Sequence, residues 1–289
     1  MDGIIIIDKE KGFTSRDIVN KVGKILGTKK VGHTGTLDPL ATGVLVVCVG
    51  KATKLVELIT SYDKEYIATF KFGVLTDTLD IEGTTIKDEK ISITKEDIIN
   101  ACSSLVGTYD QEVPIYSAVK VNGMKLYEYA RKGLDVELPK HKVTISSLEL
   151  MDYFTEDGYT YAKIKCNVSK GTYIRGLGYD IAKKLNTYAI MTDLRRTRQG
   201  EYSIEDALKI DSLTKDTKLI SISESLNDYY HFEVDDNLKN DISNGKLLEN
   251  RYNNDKILFT YKGDALALYE VYDKDNKYLK PYKMFINKV

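Results

Sequence analysis

Tryptophan is missing altogether from this chain of 289 residues, and proline (4), histidine (3) and cysteine (3) are scarce. Cys48, Cys102 and Cys166 lie far apart with no CxxC pair, which argues against a disulfide framework and against a cysteine zinc site. Cys48 and Cys166 fall in apolar or alternating runs and read as small core residues. His33, His141 and His231 are equally scattered, so no metal site is expected. There is no GxGxxG and no Walker loop to seat a dinucleotide or ATP, and no cofactor is expected. No apolar run approaches a membrane span, and the short run at residues 4–7 is flanked by Asp2 and Asp8, unlike a signal peptide. The formal charge is −1, from 42 Lys and Arg against 43 Asp and Glu. Any surface for a polyanion must therefore come from local segregation of charge. These absences lead to the expectation of a soluble, reduced, cytoplasmic protein with no membrane partner; no protein partner is implied, and a monomer is expected. Its 42% hydrophobic composition suffices for one large domain and a small one.

Against this background one stretch stands out: Gly32-His33-Thr34-Gly35-Thr36-Leu37-Asp38-Pro39-Leu40-Ala41-Thr42-Gly43. Pro39 steers Asp38 away from helical geometry, and the apolar run 44–49 follows. Asp38 is thus expected on a stiff loop just before a buried strand, a position suited to holding a reactive carboxylate. An Asp-Pro pair in a Gly/Thr-rich loop is, taken alone, a turn. Taken whole, the stretch closely resembles the catalytic motif of the tRNA pseudouridine-55 synthases of the TruB type, G-H-x-G-x-L-D-P-x-A-x-G, whose aspartate is essential.

The rest of the chain supplies elements and further blocks. Residues 3–8 read as a buried strand. Thr14 or Ser15 can cap a helix ended by Gly27, with Asp17 in its first turn. Residues 12–15, Gly-Phe-Thr-Ser, also resemble a signature of the same family. Residues 62–73 alternate as a strand, with Tyr66, Ala68 and Phe70 on one face. Thr94 caps a helix to Leu105, with Asp97 three residues on. Residues 143–154 and 159–168 form a hairpin around Glu156-Asp157-Gly158. A helix follows through Leu177, Ile181 and Leu185.

Further family-like blocks are Lys64-Glu65-Tyr66, Thr76 to Asp80, Pro114-Ile115-Tyr116-Ser117-Ala118-Val119-Lys120, Gly171-Thr172-Tyr173-Ile174-Arg175 and Leu194-Arg195-Arg196-Thr197. The resemblance implies that Asp38 is the catalytic residue, that Arg175 pairs with it and that Tyr66 stacks on the target uracil. It implies that Asp80 supports the site, that Tyr173 and Leu194 lie in the uracil pocket, and that His33 fills the space vacated by the flipped base. From the residues alone, Tyr66 reads as a packed strand tyrosine and His33 as a loop capping or hydrogen-bonding residue. Lys120 is read as a structural or RNA-contacting residue. The segment 161–200 carries a net +7, whereas 61–90 carries −3, so Arg195 and Arg196 are expected at an RNA phosphate surface.

Residues 220–231 have a linker-like mix. The tail has strand-like runs at 256–261, 265–272 and 278–286, and after residue 273 Lys274, Lys277, Lys280, Lys283 and Lys288 face only Asp275. In placement and length it resembles the family's small PUA-type RNA-binding barrel. The fold expected is therefore α+β: a mixed, mainly antiparallel sheet with flanking helices in a catalytic domain at 1–225, and a small barrel-like β domain at 232–289. The expected partner is tRNA, through its T-arm stem-loop. A non-catalytic RNA-binding or RNA-folding protein on the same scaffold is the alternative, and a glycosidase using Asp38 with Asp80 is a third reading.

Overall fold

The computed structural model describes residues 1–252 and 254–286; of the expected tail lysines, Lys288 lies outside them. The first part is built on nine strands: β1 (Gly3–Lys9), β2 (Val31–His33), β3 (Thr42–Val49), β4 (Lys64–Phe72), β5 (Gly107–Glu112), β6 (Lys140–Glu156), β7 (Tyr159–Val168), β8 (Ala189–Gln199) and β9 (Tyr202–Ser203). They form one sheet in the order β1-β3-β8-β4-β7-β6-β5, with β2 on β3 and β9 on β8. All the pairs are antiparallel except β3 with β8. Helices α1 (Ser15–Leu26), α2 (Val56–Thr60), α3 (Lys95–Leu105), α4 (Leu126–Lys132) and α5 (Ile174–Lys184) flank it.

Local signals explain the elements. Thr14 caps α1 and Thr94 caps α3. Each takes part in a reciprocal box with an aspartate three residues on, Asp17 and Asp97, so two orphan helix-end donors are satisfied at each start. Asp157 (φ 50°) and Gly158 (φ 81°) make the two-residue turn of the β6–β7 hairpin, in the left-handed backbone such turns require. β4 alternates strictly, with Lys64, Tyr66, Ala68, Phe70 and Phe72 buried. Its inward face joins residues of α3 and α5 in the main core. The four isoleucines of β1 do not alternate because both faces are covered. Ile5 and Ile7 pack with Ile18 and Val22 of α1, whereas Ile4 and Ile6 pack with Leu258, Leu268 and Phe285 of the tail.

The tail forms a second, five-stranded sheet from β10 (Tyr230–Glu233), β11 (Leu248–Glu249), β12 (Lys256–Tyr261), β13 (Asp264–Val271) and β14 (Tyr278–Met284), in the order β10-β12-β13-β14-β11. It is accompanied by α6 (Asp236–Ser243). One of its faces carries its own apolar cluster around Phe259 and Tyr269, and the other closes over β1 and β3. The linker-like reading of 220–231 is corrected here. Ile220 pairs with Ile4, Ile222 and Leu226 are buried between the two sheets, and Tyr230 and His231 already belong to β10. Their polar neighbours hid the fact that these apolar residues seal the junction.

Candidate active site

The loop between β2 and β3 carries Asp38 and is tied down from four directions. Ser15, at the start of α1, accepts from the Leu37 N–H (2.8 Å) and donates to the Leu37 carbonyl (3.1 Å). The Gly12 N–H and the Lys9 ammonium both donate to the Pro39 carbonyl, at 2.8 and 3.4 Å. Gln199 donates to the Thr34 carbonyl (3.1 Å), and Arg196 donates to the Gly35 carbonyl (3.1 Å). Gly43 ends the loop with φ +99°; a Cβ there would lie 2.1 Å from the Arg196 carbonyl oxygen. Only glycine lets β3 meet β8 at this point, where Thr42 and Gly43 pair with Arg195 and Arg196.

Facing the loop is the N-terminus of α5. Arg175 Nε lies 3.2 Å from Asp38 Oδ2, and its Nη1 lies 3.6 Å from Asp80 Oδ2. The same guanidinium donates to the carbonyls of Thr78 (2.8 Å) and Tyr116 (3.1 Å). Asp80 is held in turn by the Thr78 hydroxyl (2.6 Å) and the Glu82 N–H (3.0 Å). The side chains of Arg175 and Asp80 are 10% and 8% exposed, but that of Asp38 is 41% exposed. The buried partners are thus fixed, while the Asp38 carboxylate opens into a cleft of about 410 Å³. Tyr66, Ile174, Met191 and Leu194 give the cleft apolar walls; Tyr116, Tyr127, Tyr173, Lys64, Lys170 and Arg196 also line it.

The sequence-expected residues therefore divide. Asp38, Arg175, Tyr66, Asp80, Tyr173 and Leu194 converge, all but Asp80 lining the cleft and Asp80 backing Arg175. Burial raises the Tyr173 hydroxyl above its ordinary pKa, so it stays protonated at neutral pH. His33 sits at the end of β2, outside the cleft lining, with Nδ1 accepting from the Gly35 N–H (3.4 Å). Burial, with Arg16 and Arg196 nearby, lowers its pKa and keeps the ring neutral. Lys120 is exposed on a small hairpin and does not line the cleft.

One expectation needs correction. Arg196 is 1% exposed, and its donors go to the Val44 carbonyl (2.6 Å), the Gly35 carbonyl and the Tyr66 hydroxyl (3.5 Å). It braces the loop instead of meeting phosphate. Arg195 makes a two-pronged ion pair with Asp8, at 2.9 and 3.0 Å, while its side chain stays 37% exposed. Part of the +7 segment is paired with acids elsewhere in the fold, since Lys165 also pairs with Glu65. The two arginines point to opposite faces because successive strand residues do so.

Sequence reasoning missed three buried polar residues. Lys9 is fully buried, with its ammonium on the carbonyls of Phe13 (2.7 Å), Glu10 (3.0 Å) and Pro39, and burial lowers its pKa to about 8. Lys64, at the foot of β4, donates to the Thr60 and Tyr62 carbonyls and is likewise pushed down to about 8 by burial. Gln111 of β5 is 1% exposed and touches α5. Lys9 keeps the two-residue strand period of Ile5 and Ile7, which was a usable signal for its burial; nothing local marks Gln111.

Comparison with known proteins shows the family. Residues 23–174 match the family model described as the TruB family pseudouridylate synthase N-terminal domain. The chain is 42% identical to the tRNA pseudouridine synthase B of Clostridium perfringens, covering 96% of this chain and 94% of that protein. It is 39% identical to that of Bacillus subtilis, covering 100% and 99%. With that of Fusobacterium nucleatum the identity is 51%, over 71% of this chain and 70% of that protein. Among solved structures, an H/ACA RNP bound to a substrate RNA containing 2'-deoxyuridine superimposes with a TM-score of 0.71 at 20% identity, over 99% of this chain and 86% of that one. A Cbf5-Nop10-Gar1 complex gives 0.70 at 21% identity, over 99% and 85%; both show the shared fold. On the family model and on identity along nearly its whole length, the chain belongs to the TruB family of pseudouridylate synthases.

Proposed function

We propose that this chain isomerises uridine 55 in the T-loop of tRNA to pseudouridine, with Asp38 as the catalytic residue. The observation that carries the reading is an aspartate held by a buried arginine yet open to a base-sized, partly apolar cleft. The reaction breaks the N1–C1′ bond of uridine, turns the uracil and rejoins it through C5, from which a proton leaves. It is redox-neutral, so it calls for a positioned carboxylate and a stacking wall and for no external electron carrier.

In this reading the target nucleotide leaves its stack, at a cost on the order of a few kcal/mol, and enters between Tyr66 and Leu194. Asp38 acts at the detached sugar or base. Arg175, fixed by Asp80 and by two carbonyls, holds the carboxylate in one orientation so that little reorganisation accompanies the reaction. The Tyr173 hydroxyl borders the same pocket. His33, beside the cleft, fills the gap in the RNA, and Lys120 meets the RNA backbone. The 1–225 unit performs catalysis, and the 232–289 unit is a PUA-type domain that binds the tRNA. The enzyme works as a cytoplasmic monomer; the family membership supports a tRNA substrate, and among the described residues no helix is long and apolar enough to cross a membrane.

The test is to incubate unmodified tRNA, and separately a T-arm hairpin, with the protein and to map pseudouridine by carbodiimide adducts and primer extension. A single new stop at position 55 in both RNAs is expected. Tight binding without any stop would favour the RNA-folding alternative, and a stop elsewhere would refute the assigned site.

A further inference from the structure

Arg175 is the second residue of α5, and its four contacts depend on how that helix is rotated and seated. The N-cap residue of α5 is Tyr173, which gives no side-chain cap. The helix start is gripped from outside instead, by a side chain 62 residues earlier in the sequence. Gln111 Oε1 accepts from the Tyr173 N–H (2.8 Å), and its Nε2 donates to the Tyr173 carbonyl (3.2 Å). One amide thus pairs with both polar groups of one backbone unit. The same Nε2 lies 3.3 Å from Asp180 Oδ2 and 3.3 Å from the Tyr109 hydroxyl, and that hydroxyl donates to Asp180 at 2.9 Å. Residues 173, 176 and 180 lie on one face of the helix. At the middle position a Cβ on Gly176 would meet Gln111 Nε2 at 3.3 Å, so the helix rides directly on this amide. Gln111 and Tyr109 alternate along β5 and face α5 together, and Gln111 is 1% exposed. Burial raises the Asp180 carboxyl above its ordinary range, opposed by Tyr109, Gln111 and Lys183. None of these groups lines the cleft except Tyr173.

We propose that Gln111 is a positioning residue for the reaction, seating the N-terminus of α5 so that Arg175 meets Asp38. This rests on the reading of Asp38 and Arg175 as the reactive pair. Gln111 touches no RNA in this account, so its loss alters the rate of the chemical step and leaves tRNA binding intact.

The experiment compares Gln111→Met, which keeps the volume and removes both hydrogen-bonding functions, with Gln111→Glu, which keeps the acceptor for the Tyr173 N–H but sets a second carboxylate against Asp180. Pseudouridine formation in full tRNA is measured well below the melting temperature and normalised to tRNA-binding-competent enzyme. kcat is expected to fall by roughly 10- to 100-fold, the scale of a displacement of about 1 Å in a reacting group, with KM and Kd unchanged. The decisive arm is a cycle with Arg175→Lys. If Gln111 acts through Arg175, Gln111→Met causes little further loss in that background. Losses that multiply, a kcat that stays at the wild-type level, or a fall confined to KM would each overturn the inference. Should both single variants fold poorly, Tyr109→Phe, which withdraws one donor from Asp180, provides the same cycle with a smaller expected loss. Failure of the underlying reading is distinguishable, because it would appear as undiminished activity in Asp38→Asn.

Discussion

Arg196 separates a bracing role from an RNA-binding role more sharply than any other residue. Replacing it with methionine removes two hydrogen bonds from a charged donor, to the carbonyls of Val44 and Gly35, and orphans both acceptors in a region where Arg196 itself is 1% exposed. Such bonds contribute about 1.5–3 kcal/mol each. Relief of the buried guanidinium's desolvation offsets part of this, so a net loss of about 3 kcal/mol is expected. In a chain of this length that corresponds to a fall in Tm of roughly 6–12 °C. Arg196→Lys keeps the charge but not the fork, reaches one carbonyl at a time and is expected to lose about half as much. The assays are thermal melting and tRNA affinity as a function of salt. A phosphate contact contributes close to one unit to the salt slope of log Kd, and a brace contributes none. The slope should therefore match the wild type for Arg196→Met. An unchanged Tm combined with a shallower slope would rule out the brace and restore the phosphate role.

Two further outcomes follow from buried groups near the loop. Lys9 has a folded-state pKa of about 8 against an ordinary 10.5, so keeping its ammonium dry costs stability below pH 8, and the cost lifts as pH rises toward 10.5. The stability difference between wild type and Lys9→Met, from denaturant titrations at several pH values, should therefore move in favour of wild type with rising pH, by at most about 1.4 kcal/mol per pH unit; a flat or opposite trend would contradict it. Gly43→Ala, with its Cβ 2.1 Å from the Arg196 carbonyl oxygen, should break the β3–β8 contact, displace the Asp38 loop and lower both Tm and kcat, measured by melting and by single-turnover assay.

What could be read from the sequence was local. Four isoleucines in a row, the Thr14–Asp17 and Thr94–Asp97 pairs, the Asp157-Gly158 turn and the alternation of β4 each have a short-range physical cause, and each appears as expected. The convergence of Asp38, Arg175 and Asp80 was accessible only through resemblance, because no spacing rule links residues 38 and 175. Arg196 was misplaced for a different reason. Net charge over a segment ignores the two-residue period of a strand, which puts Arg196 on the same inward face as Leu194. Residues 220–231 were misread because composition does not reveal that Ile222 and Leu226 meet a partner sheet formed 30 or more residues later. Gln111 is invisible to any local pattern, since its partners are Tyr173 and Asp180.

Tritium release from tRNA carrying 5-³H-uridine tests whether Asp38 performs the isomerisation. The C5 hydrogen must leave when the new C–C bond forms. Wild-type protein should release tritium stoichiometrically with target sites. Asp38→Asn should release none while binding tRNA with near wild-type affinity. Release by the variant, or none by a wild type that binds the tRNA, would contradict the account.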